Sequence, residues 1–259
     1  MLPAVAVLLL ASLAYAQQAE NAPPAAPKSA PPAAPAPPPP AYTDRDAADA
    51  IARWKKVPAK APLGERMAAI EELVRGTHAS LVPVLDKVVR KDAAMSVRKK
   101  AAEALPWQPG KKTYAVVMAL LGDEEIGKTP ELAEPLVQGL RQIGYQPKDW
   151  DKLEKLFRAG YDARRIALQR AIVVLAGEQK EKEALALLLE NFDEPMAADK
   201  HAADNPPQEY WEARWKAWKA WREEVKTAVQ QITGQKFGTA DEARAWLRTN
   251  AAKLGVKRF

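Results

Sequence analysis

SVRKKAAEAL, residues 96–105, decides how the rest of the chain is read. It has the form V-R-x-x-A-x-x-A-L. Val97, Ala101, Ala104 and Leu105 recur at steps of three and four, so on a helix they share one face. That face is small apart from its leucine, so the backbone of a neighbouring helix can come close to it.

Variants of this helix occur on both sides. In 65–75, Arg66, Ala69, Ile70 and Leu73 repeat the pattern, and beyond Asp162 it returns as Arg165, Leu168, Ala171, Ile172 and Leu175. Arg66 and Arg98 lie 32 positions apart; Arg98 and Arg165 lie 67 apart, close to two further periods. The missing member is Leu132, Leu136, Leu140 and Ile143, which keeps the leucines and lacks the arginine. Each such helix is followed by a second apolar stripe: Leu81, Val84, Leu85, Val88 and Val89; then Val116, Val117, Leu120 and Leu121; then Leu153, Leu156 and Phe157; then Leu185, Leu188 and Leu189. Gly76, Gly122, Gly144, Gly160 and Gly177 read as helix stops. Thr43, Thr129 (before Pro130 and Glu131) and Asp162 read as helix caps. No run alternates with period two. A helical period in the thirties is the pattern of stacked helix pairs, each burying its face on its neighbours.

These residues resemble the HEAT-repeat family, including the short HEAT-like repeats of the phycobilisome-lyase type. The resemblance is strongest at Val97-Arg98-x-x-Ala101-x-x-Ala104-Leu105 and covers most of 64–194. It implies an all-α fold, an α-solenoid of antiparallel helix pairs, working as a surface for binding other proteins. The string Ile232-Thr233-Gly234-Gln235-Lys236-Phe237-Gly238, followed by an acid and Trp246, resembles the ending of exported bacterial HEAT-like proteins. That resemblance carries architecture and little chemistry.

Outward from the repeats, 1–16 reads as a secretory signal: an apolar run too short for a membrane span, ending in Ala14-Tyr15-Ala16. No Lys or Arg precedes the run. Residues 17–41, almost all Ala, Pro and Gln, offer no large apolar side chain to offset the entropy of ordering, so a disordered linker is expected. The expected organisation is therefore a signal (1–16), a linker (17–41), helical repeats (42–195) and a C-terminal helical cap (196–259). The product would be exported, periplasmic or extracellular, with no transmembrane span in the mature chain.

The cap is a long helix launched by Pro206-Pro207. Trp211, Trp215, Trp218, Trp221, Val225, Val229 and Ile232 step along one face, with Arg214, Lys216, Lys219 and Arg222 between them. Two readings compete: an aromatic and basic surface for stacking bases, glycans or a peptide, or a helix that hides the open end of the repeats. The unbroken run of the stripe into aliphatic residues favours the second. Thr239 and Glu242 form the capping-box pattern of a last helix, which carries Trp246 and Leu247.

The absence of cysteine excludes disulfides, thiolate metal sites and cysteine nucleophiles. The two histidines, His78 and His201, are far apart; His78 reads as a helix-start residue, and His201 lies in a polar loop that offers weak metal ligands at best. No phosphate loop, H-E-x-x-H, G-x-S-x-G or EF-hand pattern occurs, so no cofactor or metal is expected and the chain does not read as an enzyme. Net charge is +6, with both signs interspersed, which does not point to nucleic acid. Arg66, Arg98 and Arg165 are expected to make salt bridges between repeats. If a binding surface exists, its candidates lie on the second helices: Lys87, Arg90, Lys111, Lys112, Lys152, Lys155 and Arg158, facing an acidic protein partner. A lyase-type HEAT-like enzyme and nucleic-acid or glycan binding by the Trp/Arg helix are the alternatives.

Overall fold

Thr43 opens the first helix as its sequence predicts. Its hydroxyl accepts from Asp46 N–H while the Asp46 carboxylate accepts from Thr43 N–H, a reciprocal cap. In the computed structural model, which describes residues 38–196, 205–256 and 259, twelve α-helices follow one another among the described residues, joined by turns and short 3₁₀ segments, with no strand. They are α1 (Asp44–Lys56), α2 (Leu63–Leu73), α3 (Val82–Lys91), α4 (Met95–Ala104), α5 (Lys111–Leu121), α6 (Glu124–Gly127), α7 (Pro130–Ile143), α8 (Trp150–Arg158), α9 (Ile166–Glu178), α10 (Leu185–Glu190), α11 (Gln208–Thr233) and α12 (Ala240–Leu254). No helix among them is long and apolar enough to cross a membrane.

The small-faced helices form a row: α2 packs on α4, α4 on α7, α7 on α9 and α9 on α11. Val97, Ala101 and Leu105 are fully buried, as are Ile70, Leu132, Leu136, Leu140, Leu168 and Ile172. They belong to one continuous core that runs on through Trp221, Val225 and Val229. Each second helix leans on the first helix of the following pair: α3 on α4, α5 on α7, α8 on α9 and α10 on α11. The sequence pairs each helix with its predecessor; the closest approaches run forward along the chain instead.

Two glycines read as stops have another role. Gly177 lies inside α9, and a methyl there would meet the Ala228 backbone of α11. At Gly76, two residues past the α2 cap Val74, a methyl would run into the Tyr42 ring. Gly144 and Gly234 do end helices, in the left-handed conformation that glycine adopts without steric cost. Thr129 does not cap α7 with its side chain; its hydroxyl donates to Glu125 O. At α12, Thr239 Oγ1 accepts from Glu242 N–H, but the returning carboxylate accepts from Gly238 N–H.

The folded unit begins at Pro38, inside the stretch read as linker. Ala41 forms a bridge with Thr77, Pro40 O accepts from Thr77 N–H at 2.8 Å, and Tyr42 N–H donates to Thr77 O at 2.9 Å. The unit continues to Phe259, so α11 and α12 share the core of the helices before them. The signal reading, linker residues 17–37 and the His201 loop lie outside the described residues.

Candidate functional site

The basic residues of the second helices divide into two groups. Arg90, on α3, donates to Asp86 at 2.9 Å and to Asp123 at 2.7 Å. Arg158, on α8, donates to Glu154 at 2.8 Å and to Glu190 at 2.7 Å. The two are 68 positions apart and carry the same pair of bonds, one to the residue four before and one to a carboxylate about one period ahead. Hydrogen bonding to Glu190, against the opposing effect of burial and with Glu154 assisting, holds the Arg158 guanidinium above its ordinary range. Lys152 binds Asp149 at 3.0 Å. All three are ion-paired, Arg90 and Arg158 to carboxylates distant in sequence and Lys152 to a local one. Lys87, Lys111, Lys112 and Lys155 are exposed. Lys155 and Arg158 line a shallow depression with Asp151 and Glu154, where acids match the bases.

A second set of bonds repeats at the same interval. Tyr114 OH donates to Asp149 at 2.8 Å and Tyr145 OH donates to Glu181 at 2.7 Å; donors and acceptors shift by 31 and 32 positions. Burial, reinforced by the carboxylate partner, pushes both phenols well above their ordinary value. Burial acts to raise the Asp149 carboxyl, yet hydrogen bonds from Tyr114 and Lys152 outweigh it and leave the group below its usual range.

The recurring arginines are structural, though not all are salt bridges. Arg66 forms an almost fully buried ion pair with Asp92. Arg98 Nε donates to Val89 O at 2.7 Å, with an outer bond to Glu125 at 2.8 Å. Arg165 donates to Leu156 O at 2.6 Å and has no carboxylate partner among the described residues. Both carbonyls lie in the last turn of a second helix, nine residues before the arginine, where a cation satisfies an orphan acceptor and the helix dipole together. Burial lowers the Arg165 guanidinium from its ordinary value.

The tryptophan stripe is split. Trp218 and Trp221 are buried with Val225 and Val229, while Trp215 is 41% exposed and its indole N–H donates to Glu194 at 2.6 Å. Three of the four cations between them are already engaged. Arg214 lies over Tyr161 and Trp211, Lys219 over Trp215 at 4.7 Å, and Arg222 over Trp218 at 5.2 Å. A cation thus already lies over one face of Trp211, Trp215 and Trp218.

The concavity that sequence reasoning missed lies at the other end. Between the end of α1, the turn after it and one face of α3 is a cleft of about 470 Å³. Trp54, Val57, Pro58, Val84 and Val88 give it apolar walls, with Lys55, Lys87 and Lys91 around them and the Arg66–Asp92 pair at one side. Only Lys87 was among the sequence candidates. The signal was present in the spacing: Val84, Lys87, Val88 and Lys91 follow steps of three, one and three, a single stripe of α3. Pairing that stripe with Trp54 needed the fold. His78 bonds to Ser80 and Asp44 at the start of a 3₁₀ turn, as a helix-start residue does. Among the described residues no group of three or more His, Cys, Asp or Glu side chains is placed to hold a metal ion.

No family model, no curated protein and no solved structure matches the chain.

Proposed function

We propose that this chain is an exported, non-catalytic binding or scaffolding module: a HEAT-like α-solenoid, closed at its C-terminal end by α11, that presents a helical-repeat surface to a protein partner. The observation that carries the reading is the recurrence of interactions at the repeat interval. Arg90 and Arg158 each join a carboxylate about one period ahead, as Tyr114 and Tyr145 do. Nearest-neighbour bonds of this kind are what stacked repeats require, and they leave an elongated surface free for recognition. The burial of Trp218, Trp221 and Val225 against the last repeats supports the capping role of α11.

The exposed cations Lys111, Lys112 and Lys155 make an acidic protein the favoured partner. The test is photo-crosslinking of the purified chain to envelope proteins, with captured partners identified by mass spectrometry. Charge reversal at these three positions, with helicity unchanged by circular dichroism, is expected to remove the specific partner. Crosslinking that ignores the reversal counts against the surface, and turnover of a small substrate by the purified chain would overturn the non-catalytic reading.

A further inference from the structure

We propose that the cleft between α1 and α3 is a docking site for an acidic peptide segment that carries apolar side chains between its carboxylates. The inference rests on the reading of the chain as a protein-binding module and adds the place and chemistry of one contact.

Three observations converge. The first is the wall: Trp54, Val57, Pro58, Val84 and Val88 enclose a space within the roughly 300–1,000 Å³ range of ligand sites. The second is charge. Lys55, Lys87 and Lys91 are exposed, and none is ion-paired among the described residues. The one carboxylate in the lining, Asp92, is held by Arg66 and accepts from Ala94 N–H. The lining therefore carries three uncompensated positive charges, and an anion is the complement.

The third is the shape of the rim. Pro58, Ala59, Pro83 and Ala93 are exposed, so the cleft is short and open. A long acyl chain would leave much of its length in water. A peptide needs to insert only one or two side chains and keeps its backbone solvated. Lys87 and Lys91, spaced by one helical turn on α3, then meet carboxylates on either side of the inserted residues. Among the described residues neither lysine carries a side-chain bond of the fold, so changing them tests recognition and not folding.

The probe is a blocked, fluorescein-labelled hexapeptide of two glutamates, leucine, phenylalanine and two glutamates, titrated into the full chain and read by fluorescence anisotropy. Lys87→Glu with Lys91→Glu is expected to weaken binding at least about tenfold. Lys236→Glu with Lys253→Glu, exposed and outside both the cleft and the α5 surface, should change it by less than about twofold, and Lys111→Glu with Lys112→Glu tests the rival surface. Replacing the leucine and phenylalanine by alanine should weaken binding at least about fivefold. Excess palmitate should not displace the peptide.

Binding that survives reversal at Lys87 and Lys91, or that is equal for the alanine peptide, overturns the proposal; displacement by palmitate overturns the choice of a peptide. Binding lost on reversal at Lys111 and Lys112 but kept on reversal at Lys87 and Lys91 refutes the cleft and leaves the wider binding-module reading standing. Absence of any binding refutes the cleft alone, because crosslinking judges the wider reading independently.

Discussion

Replacing Gly177 with alanine is a direct test of how the row of helices is packed. In isolation the change is favourable, since alanine in a helix interior is better than glycine by about 1 kcal/mol. In this fold the added methyl would sit 2.8 Å from Cα and 2.9 Å from Cβ of Ala228, where α9 meets α11. The Gln231 side chain, also in contact, is exposed and can swing away. The Ala228 backbone cannot, so the two helices must separate. Against backbone the cost falls in the upper part of the 1–3 kcal/mol typical of overpacking, about 2–3 kcal/mol, so the propensity gain is reversed and a net loss of about 1–2 kcal/mol remains. For a folded unit of this size that is a fall of about 2–8 °C in Tm, read by circular dichroism. Ala228→Gly in the same background removes one of the two clashing carbons and should restore part of the loss, a coupling visible in a double-mutant cycle. Gly64→Ala is the control: it lies in α2 with open space around it and should be neutral or stabilising. A Gly177→Ala protein as stable as the parent, or more stable, would refute the close approach of α9 and α11.

Other outcomes follow from the same bonds. Arg66→Met strands the buried Asp92 carboxylate and should cost about 3–5 kcal/mol, whereas Arg66→Met with Asp92→Leu should recover most of it; urea midpoints decide. The depressed Asp149 carboxyl contributes stability above the ordinary aspartate value of 3.8 that is lost as pH falls through its folded value. The raised Tyr114 and Tyr145 phenols contribute stability below pH 10.0 that is lost as pH rises beyond it. Urea midpoints should therefore fall at both extremes, and Tyr114→Phe with Tyr145→Phe should flatten the alkaline limb. Acrylamide should quench Trp215, 41% exposed, and spare Trp221, fully buried; Trp215→Phe should remove most of the quenchable emission of α11.

The binding surface reads differently once the fold is known. Arg90 and Arg158 look available on a helix face because only their i−4 acids are visible in sequence, while Asp123 and Glu190 are not recognisable as partners. Lys87 alone passed from the sequence candidates into the cleft, because Trp54 and Lys55 belong to a helix separated from α3 by α2. The misread glycines have a similar origin. A glycine near the end of an apolar run signals a stop by local chemistry, whereas at Gly177 the reason for glycine is another helix 51 residues further on.

From the order of residues alone came the all-helical class, most helix starts and the burial of the aliphatic stripe that continues the tryptophans. These are set by local periodicity and by capping, which act within one or two turns. The tertiary structure decided which helices touch: α3 leans on α4 and α8 on α9. It also decided which cations are consumed by carboxylates on later segments of the chain, and where an apolar hollow with unpaired lysines remains. Such contacts depend on the approach of surfaces distant in sequence, and helical spacing fixes the face of a residue without fixing what lies opposite.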